Sequence, residues 1–282
     1  MNLPIIACIS AASLYGLGAV LQSLAARRSS PMEGLATIIR QAPYLAGLVC
    51  DLVGWLLTIY AVNHLPLFAV HTTLAGSVVV TAVLAWLFLH TPLRGIDAIA
   101  IGAVLAGVVL VGSAAAPPAD TYGGTKARVV LALGVPVAGM LGFLAVRLSL
   151  PIVAASVSGL LFSLGATTVR TLELATSPSK LLVQPTAWIF VAYTIAGLVV
   201  HAHSLRTGSV GPVTAALWAT EILVAATAGY LLFGDSVRQG ALPRAVIGTF
   251  VTLSATIQLA LRPSIAARPT INDPWPKVPP GS

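Results

Sequence analysis

Nine long apolar runs constrain the fold of this sequence more than any other feature. Each run extends for about 20 residues, which is enough for a helix to cross the hydrocarbon core of a bilayer. Bounded by Pro, Gly and charged residues, the runs lie at 3–25, 43–63, 66–89, 95–115, 129–146, 148–168, 186–205, 210–233 and 241–261. Soluble domains contain about 25% charged residues, whereas this chain has 8%, and 57% of it is hydrophobic. The sequence therefore predicts an all-α polytopic membrane protein with about nine transmembrane helices.

Charge, cysteine content and motifs narrow the function further. The net charge is +7, and in a chain of this hydrophobicity we assign it to contacts with anionic membrane lipids rather than with nucleic acid. Cys8 and Cys50 lie inside apolar runs and predict neither a disulfide framework nor a metal site. The sequence contains no lipase, metalloprotease or phosphate-loop motif. We therefore expect no enzymatic activity and no cofactor.

The second half of the sequence repeats the first. Four segments align in order at offsets of 143 to 147 residues: 14–19 with 161–166, 54 with 197, 87–94 with 231–238, and 101–102 with 247–248. Five crossings separate the copies, so we expect two inverted repeats, which in many transporters enclose a midplane site. The predicted organisation is a first repeat with its linker at 1–128, a fifth span at 129–147, a second repeat at 148–262 and a Pro-rich disordered tail at 263–282.

Two carboxylic acids lie near the centres of predicted spans. They are Asp51 in the second span and Glu221 in the eighth. A charge at the bilayer centre costs about 2.5–3.5 kcal/mol on insertion scales, so such residues are typical of substrate or ion pathways. The alternative is a structural acid that is hydrogen-bonded across a helix contact. We predict that both acids belong to a substrate or coupling-ion site.

Further polar and aromatic residues are candidates for the same site. His71 lies early in the third span, and Tyr15, Trp55 and Trp218 could line a cavity, although aromatic residues in spans more often pack or anchor. His201 and His203 lie on different faces of one helix, so we predict no metal site from them. Small residues at one-face spacing predict close helix contacts: Ala98, Gly102 and Ala106 in span four, and Gly248, Thr252 and Thr256 in span nine.

Five segments resemble the drug/metabolite transporter superfamily, in its EamA-like group. They are SLYGLGAVLQ at 13–22, DLVGW at 51–55, AVNHLPL at 61–67, TEIL at 220–223 and GYLLFGD at 229–235. Gly18, Gln22 and Asp51 are similar to the magnesium-transporting NIPA-like branch and its bacterial relatives. The resemblance implies two inverted bundles and transport. This chain departs from the family pattern because it lacks a tenth span and because Ile222, not proline, follows Glu221.

Three functions remain open at this point. The first is secondary transport of a small molecule by alternating access, coupled to protons, around Glu221 and Asp51. The second is transport of magnesium or another cation, and the third is a non-transporting scaffold or lipid-handling partner. We expect a bacterial plasma-membrane protein with its N-terminus outside, because Lys and Arg are slightly more numerous on the other side. A homodimer is left open.

Overall fold

The structure is a computed structural model that describes residues 2–28, 41–89, 93–117, 124–172, 183–208 and 210–261. All regular elements in these ranges are helices, apart from an isolated antiparallel bridge between Ala115 and Val237. The helices are α1 (Asn2–Arg28), α2 (Ala42–Val62), α3 (Leu67–Ala75), α4 (Ser77–Leu89), α5 (Gly95–Ala114), α6 (Gly124–Arg147), α7 (Pro151–Val169), α8 (Pro185–Thr207), α9 (Val210–Phe233) and α10 (Leu242–Ala260).

Within the described ranges, nine helical segments are long and apolar enough to cross a membrane. Helices α3 and α4 together form the third segment, and every other helix forms one. We number these spans one to nine in chain order. For the residues that the structure describes, the predicted all-α architecture is confirmed, with nine helical segments long and apolar enough to span a membrane. These apolar helices indicate an integral membrane protein.

Local sequence explains where several helices begin. Proline occupies the first turn of α2, α7, α8 and α10. Backbone N–H groups in the first turn have no partner within the helix, so the N–H that proline lacks costs no hydrogen bond there. At the start of α5, the Asp97 carboxylate accepts a hydrogen bond from the backbone N–H of Arg94, at 2.8 Å. In the first turn of a helix, a carboxylate also complements the helix dipole.

Some helices begin at other residues than the sequence predicts. Span five begins at Gly124 rather than at 129, because Lys126 and Arg128 lie inside the helix instead of ending it. Span six begins at Pro151 rather than at 148, because Ser149 adopts a turn conformation with φ of 51°. The predicted tail at 263–282 lies outside the described residues.

The third span is two helices rather than one. The first ends at Ala75, Gly76 forms a turn with its N–H directed to the carbonyl of Thr73, and the second begins at Ser77. Interrupted membrane helices are tolerated where the freed backbone groups are buried in protein or face a cavity. The break therefore leaves α3 as a short, separate helix inside the bundle.

Glycine contacts fix the close approaches between spans. A Cβ at Gly18 would lie 2.5 Å from Asp51 Oδ1 and 3.0 Å from the carbonyl of Gly47, so the Asp51 carboxylate and the backbone of span two both lie directly against span one there. Spans four and nine approach in the same way at Gly107 and Gly248, where each Cβ would meet the other residue's carbonyl oxygen. Such contacts are the usual basis of helix association in membranes.

The predicted small-residue stripe is right on span nine and wrong on span four. Gly248, Thr252 and Thr256 are buried against span four, whereas Ala98, Gly102 and Ala106 are exposed. A Cβ at Gly102 would have no atom within 4 Å. Lipid chains and neighbouring helices are both apolar, so the spacing of small residues does not identify which face packs.

Candidate functional site

A cavity of about 890 Å³ lies inside the bundle. Its wall comes from spans one, two, three, six, seven and eight, and most of the lining is apolar. The lining residues are Tyr15, Leu48, Val49, Asp51, Leu52, Trp55, Thr58, Ile59, Val62, His71, Leu74, Ser77, Phe162, Ala166, Val169, Phe190, Thr194, Leu198, His201, Thr214, Leu217, Trp218 and Glu221. A pocket of this volume is large enough to enclose a whole small molecule.

A buried pair of polar side chains lies in this wall. The Nδ1 atom of His71, on α3, lies 3.0 Å from Oε1 of Glu221, on α9. His71 is 1% exposed and Glu221 is 8% exposed. In low-dielectric surroundings an acid and a base at this distance share a proton more favourably than either group bears an isolated charge. The pair can therefore hold a proton between its two members.

Close backbone packing holds Glu221 in place. A Cβ at Gly159, in span six, would meet the carbonyl oxygen of Leu217 and would lie 3.2 Å from the backbone nitrogen of Glu221. No larger residue fits at Gly159 without moving α9. The carboxylate is therefore presented from a helix whose position is set one turn away by direct backbone contact.

The second ring nitrogen of His71 has no protein partner among the described residues. This Nε2 atom is buried, and His71 is one of the residues that line the cavity. Buried polar atoms in folded proteins nearly always have a hydrogen-bond partner, so an unpartnered one calls for water or a guest. His71 therefore contacts Glu221 through one ring nitrogen and keeps a second, buried nitrogen without a partner among the described residues.

Asp51 occupies a second polar position in the wall. Its carboxylate accepts a hydrogen bond from the side-chain amide of Gln22 and is half-buried against Gly18. Tyr15 lies within electrostatic range of both Asp51 and Glu221, and its hydroxyl is 3.3 Å from Oγ1 of Thr58. The two acids thus line one cavity, and Tyr15 lines it as well.

Aromatic rings complete the surface around these groups. Trp55 in span two packs on Phe190 in span seven, with ring centroids 5.7 Å apart. Trp218 lies three residues before Glu221 and also lines the cavity. The structure therefore brings all six predicted site residues to one cavity: Glu221, Asp51, His71, Tyr15, Trp55 and Trp218. Their role in binding a substrate or coupling ion remains a prediction.

Sequence reasoning missed most of the wall that span seven contributes. Phe190, Thr194, Leu198 and His201 line the cavity and follow one another at steps of four, four and three residues. That spacing places them on one face of a helix, and it was visible in the sequence. His201 also lies within electrostatic range of Glu221. His201 therefore adds a titratable group to the site, although it was not among the site residues predicted from the sequence.

A buried ion pair, also missed, lies at the end of the bundle where α1 begins, which we call the N-side. Arg170 Nη1 contacts both carboxylate oxygens of Asp235 at 2.8 Å, and Asp235 also accepts the backbone N–H of Leu67 at 2.8 Å. The guanidinium of Arg170 packs over the ring of Phe233, 4.6 Å from its centroid. These contacts join the ends of α7 and α9 to the start of α3.

An apolar core lies beside this ion pair and borders the cavity. It contains residues from α1, α2, α3, α7 and α9, and Leu172 beyond the end of α7: Cys8, Ala11, Ala12, Ala61, Val62, Leu67, Val70, Leu74, Val169, Leu172, Ala225 and Phe233. Leu67 and Phe233 also contact the ion pair, and Val62, Leu74 and Val169 also line the cavity.

The described residues contain no group of three or more His, Cys, Asp or Glu side chains arranged to hold a metal ion. Comparison with protein-family models, with curated proteins and with solved structures finds no match for this chain.

Proposed function

We propose that this chain is a secondary active transporter that moves a small molecule across a membrane by alternating access. Its site is the cavity that contains Glu221, His71 and Asp51, and its transport is coupled to protons. The observation that carries the proposal is the buried His71–Glu221 pair facing a cavity of about 890 Å³.

The depth of Glu221 supports this reading. Glu221 lies eleven residues after α9 begins and twelve before it ends, which puts it near the bilayer centre. An acid at that depth costs about 2.5–3.5 kcal/mol relative to an apolar residue. A hydrogen bond to a packed helix would offset part of this cost, but it does not explain why the pair faces a cavity rather than a helix contact.

The packing of the spans supports two inverted repeats, which are part of the same proposal. A Cβ at Gly54 would lie 3.3 Å from the ring of Tyr15, and at Gly197 a Cβ would lie 2.8 Å from the ring of Phe162. These two glycine–aromatic contacts are equivalent under the sequence repeat. The cavity wall also uses matched spans: one with six, two with seven, and three with eight. Membership of the drug/metabolite transporter superfamily, which the sequence resembles, is proposed on the same grounds.

In the proposed mechanism, the substrate and a proton compete for the carboxylate of Glu221. When the site is empty, Glu221 and His71 hold a proton between them. A substrate that carries a cationic or donor group binds the carboxylate and releases that proton to the open side. When the cavity opens to the other side, a proton from that side re-forms the pair and the substrate is released there, after which the protonated protein returns. The protein thereby exchanges substrate for a proton.

The test uses purified protein in liposomes with an imposed pH gradient. Substrate-dependent proton movement is followed with an internal pH indicator across a panel of amines, neutral metabolites and magnesium. The variants are Glu221→Gln, which keeps the shape and the hydrogen bond to His71, and Thr227→Val as a matched control on the exposed face of the same helix. We expect Glu221→Gln to lose coupled transport and Thr227→Val to retain it.

Two results would contradict the proposal. Wild-type coupling in Glu221→Gln would make the carboxyl a structural group. Absence of transport of any compound by the wild-type protein would instead favour a scaffold.

A carrier of hydrated divalent cations is the second candidate. It is favoured by the two carboxylates and by the hydroxyl groups of Thr58 and Ser77 on the same wall, because magnesium prefers oxygen ligands and keeps several waters. The largely apolar and aromatic lining favours an organic substrate. Magnesium-driven proton release with no response to any organic compound would select this second candidate.

A further inference from the structure

Helix α3 receives its N-terminal cap from a residue 168 positions later in the chain. The residue before α3 is Pro66, whose side chain has no atom that can accept a hydrogen bond. The first backbone N–H of the helix, that of Leu67, donates instead to Oδ2 of Asp235 at 2.8 Å. Leu67 is fully buried, so its N–H requires an acceptor, and a carboxylate at a helix N-terminus also complements the helix dipole. Asp235 therefore supplies both the missing acceptor and a favourable charge.

Two glycines allow Asp235 to reach the start of α3. Gly234 has a φ of 67°, so the chain turns sharply after the end of α9, and the N–H of Asp235 donates to the carbonyl of Gly229 at 3.0 Å. A Cβ at Gly229 would lie 2.6 Å from Oδ2 of Asp235, the same oxygen that accepts the N–H of Leu67. The segment GYLLFGD at 229–235 therefore folds the carboxylate back against the end of α9, where it meets α3.

Arg170 holds the capping carboxylate from the other side. It follows the last residue of α7, and its Nη1 atom lies 2.8 Å from both oxygens of Asp235. The two charged side chains are buried and balance each other. An ionised carboxylate can accept several hydrogen bonds, so the contact with Arg170 leaves Oδ2 able to accept the N–H of Leu67 as well. Asp235 is thereby fixed to the end of α7 while it caps α3.

The capped helix carries His71. It is nine residues long and ends at the turn formed by Gly76. His71 follows Leu67 by four residues, which places the two about one turn apart on the same face. Leu67 contacts Asp235, two residues beyond the end of α9, and His71 contacts Glu221 within α9. A displacement of α3 at its start is therefore passed on to His71 within one turn.

We infer that Asp235 is a positioning residue for the proposed proton site. By capping α3 it sets His71 where Nδ1 meets the carboxylate of Glu221. The group that carries this role is the acceptor for the N–H of Leu67, and Arg170 keeps that acceptor in place. Asp235 is not among the cavity-lining residues. This inference rests on the proposed transport function and adds a residue that acts on its site from outside the cavity.

The test follows the proton between His71 and Glu221 by nuclear magnetic resonance. The full chain, labelled with nitrogen-15 in its five histidines, is studied in detergent micelles at neutral pH. The bridging proton is identified as the histidine-bound signal that is lost in both His71→Gln and Glu221→Gln. Its rate of exchange with water, measured by saturation transfer, reports how firmly the two side chains are held together.

Two double variants separate the cap from the ion pair. Arg170→Met with Asp235→Asn removes both charges but keeps a side-chain oxygen that can accept the N–H of Leu67. Arg170→Met with Asp235→Ala removes both charges and the acceptor. The two variants have the same net charge, so the first is the matched control. We expect the control to exchange at close to the wild-type rate and the second variant to exchange about fivefold faster, the factor that corresponds to one lost hydrogen bond.

A second pair of variants removes the donor instead and leaves both charges in place. Leu67→Pro deletes the N–H at the first position of a helix, where proline is tolerated. Leu67→Ala keeps the N–H but shortens the side chain, which makes it the matched control. We expect exchange about fivefold faster in Leu67→Pro than in Leu67→Ala. This pair keeps the inference testable if the variant with Asp235→Ala does not fold.

The outcomes distinguish this inference from the proposed function. Equal exchange rates within either pair of folded variants would overturn the positioning role, because the acceptor or the donor would then be dispensable. The transport proposal would still stand in that case. A wild-type protein with no signal that depends on both His71 and Glu221 would instead remove the pair on which the transport proposal depends, and this inference with it.

Discussion

Breaking the ion pair between Arg170 and Asp235 tests how strongly this buried contact stabilises the N-side of the bundle. Arg170 is 5% exposed and Asp235 is 4% exposed, and the guanidinium nitrogen contacts both carboxylate oxygens. Removing one partner of a buried pair strands the other charge, which costs about 3–5 kcal/mol, whereas removing both is often close to neutral. The proposed variants are Arg170→Met, Asp235→Asn and the double variant.

The structure gives a separate expectation for each variant. Arg170→Met and Asp235→Asn should each lower the free energy of unfolding by about 3–5 kcal/mol. The double variant should lose at least 2 kcal/mol less than the sum of the single losses, a coupling of about the size seen for residues in one polar network. Asp235→Ala should cost about 1–3 kcal/mol more than Asp235→Asn, because the buried N–H of Leu67 then also loses its acceptor.

Reversible unfolding by dodecyl sulfate in mixed micelles, followed by circular dichroism, measures these free energies. Helical content before unfolding checks that each variant starts from the folded state. Single variants that both lie within about 1 kcal/mol of the wild type would refute the reasoning, because the pair would then not be buried as a unit. Strictly additive losses in the double variant would refute it as well.

The same unfolding assay checks three further predictions. Gly107→Ala should lower stability by about 1–3 kcal/mol, because its Cβ would overlap span nine; Gly102→Ala, with open space at its Cβ, should stay within about 0.5 kcal/mol, and equal losses would contradict the assigned contact. Gln22→Leu removes the amide that donates to Asp51 and should cost about 1 kcal/mol, whereas a gain in stability would mean that the carboxyl needs no donor. Tyr193→Phe removes a buried hydroxyl that donates to a backbone carbonyl in span five and should also cost about 1 kcal/mol, and no change would show that this hydrogen bond contributes nothing net.

The two acids of the site could be identified from the sequence because a carboxylate inside a membrane costs free energy. Asp51 and Glu221 interrupt runs that are otherwise apolar, so burial energy alone marks them as residues that require a partner or a function. The residues that contact these acids are harder to predict from the sequence. His71 lies 150 positions before Glu221 in the chain, and nothing in its local sequence distinguishes a cavity histidine from a packed one.

The Arg170–Asp235 pair shows the same limit more strongly. Each residue follows the end of a span, where charged residues commonly extend toward headgroups. Their 65-residue separation carries no pattern that pairs them. Only the meeting of α7, α9 and α3 at the N-side converts two terminal charges into one buried contact.

The sequence by itself determined the spans. A bilayer offers no hydrogen bonds to the backbone, so an apolar run of sufficient length must be a helix. Proline in the first turn marks where several of these helices begin, as at Pro151. Tertiary structure alone decided which face of each span packs, where the third span breaks at Gly76, and which side chains share the cavity. The physical reason is that lipid and protein interior are both apolar. The sequence of a membrane helix therefore carries little pattern that distinguishes the face in contact with protein from the face in contact with lipid. Close backbone contacts, such as that of Gly107 with Gly248, determine which face packs.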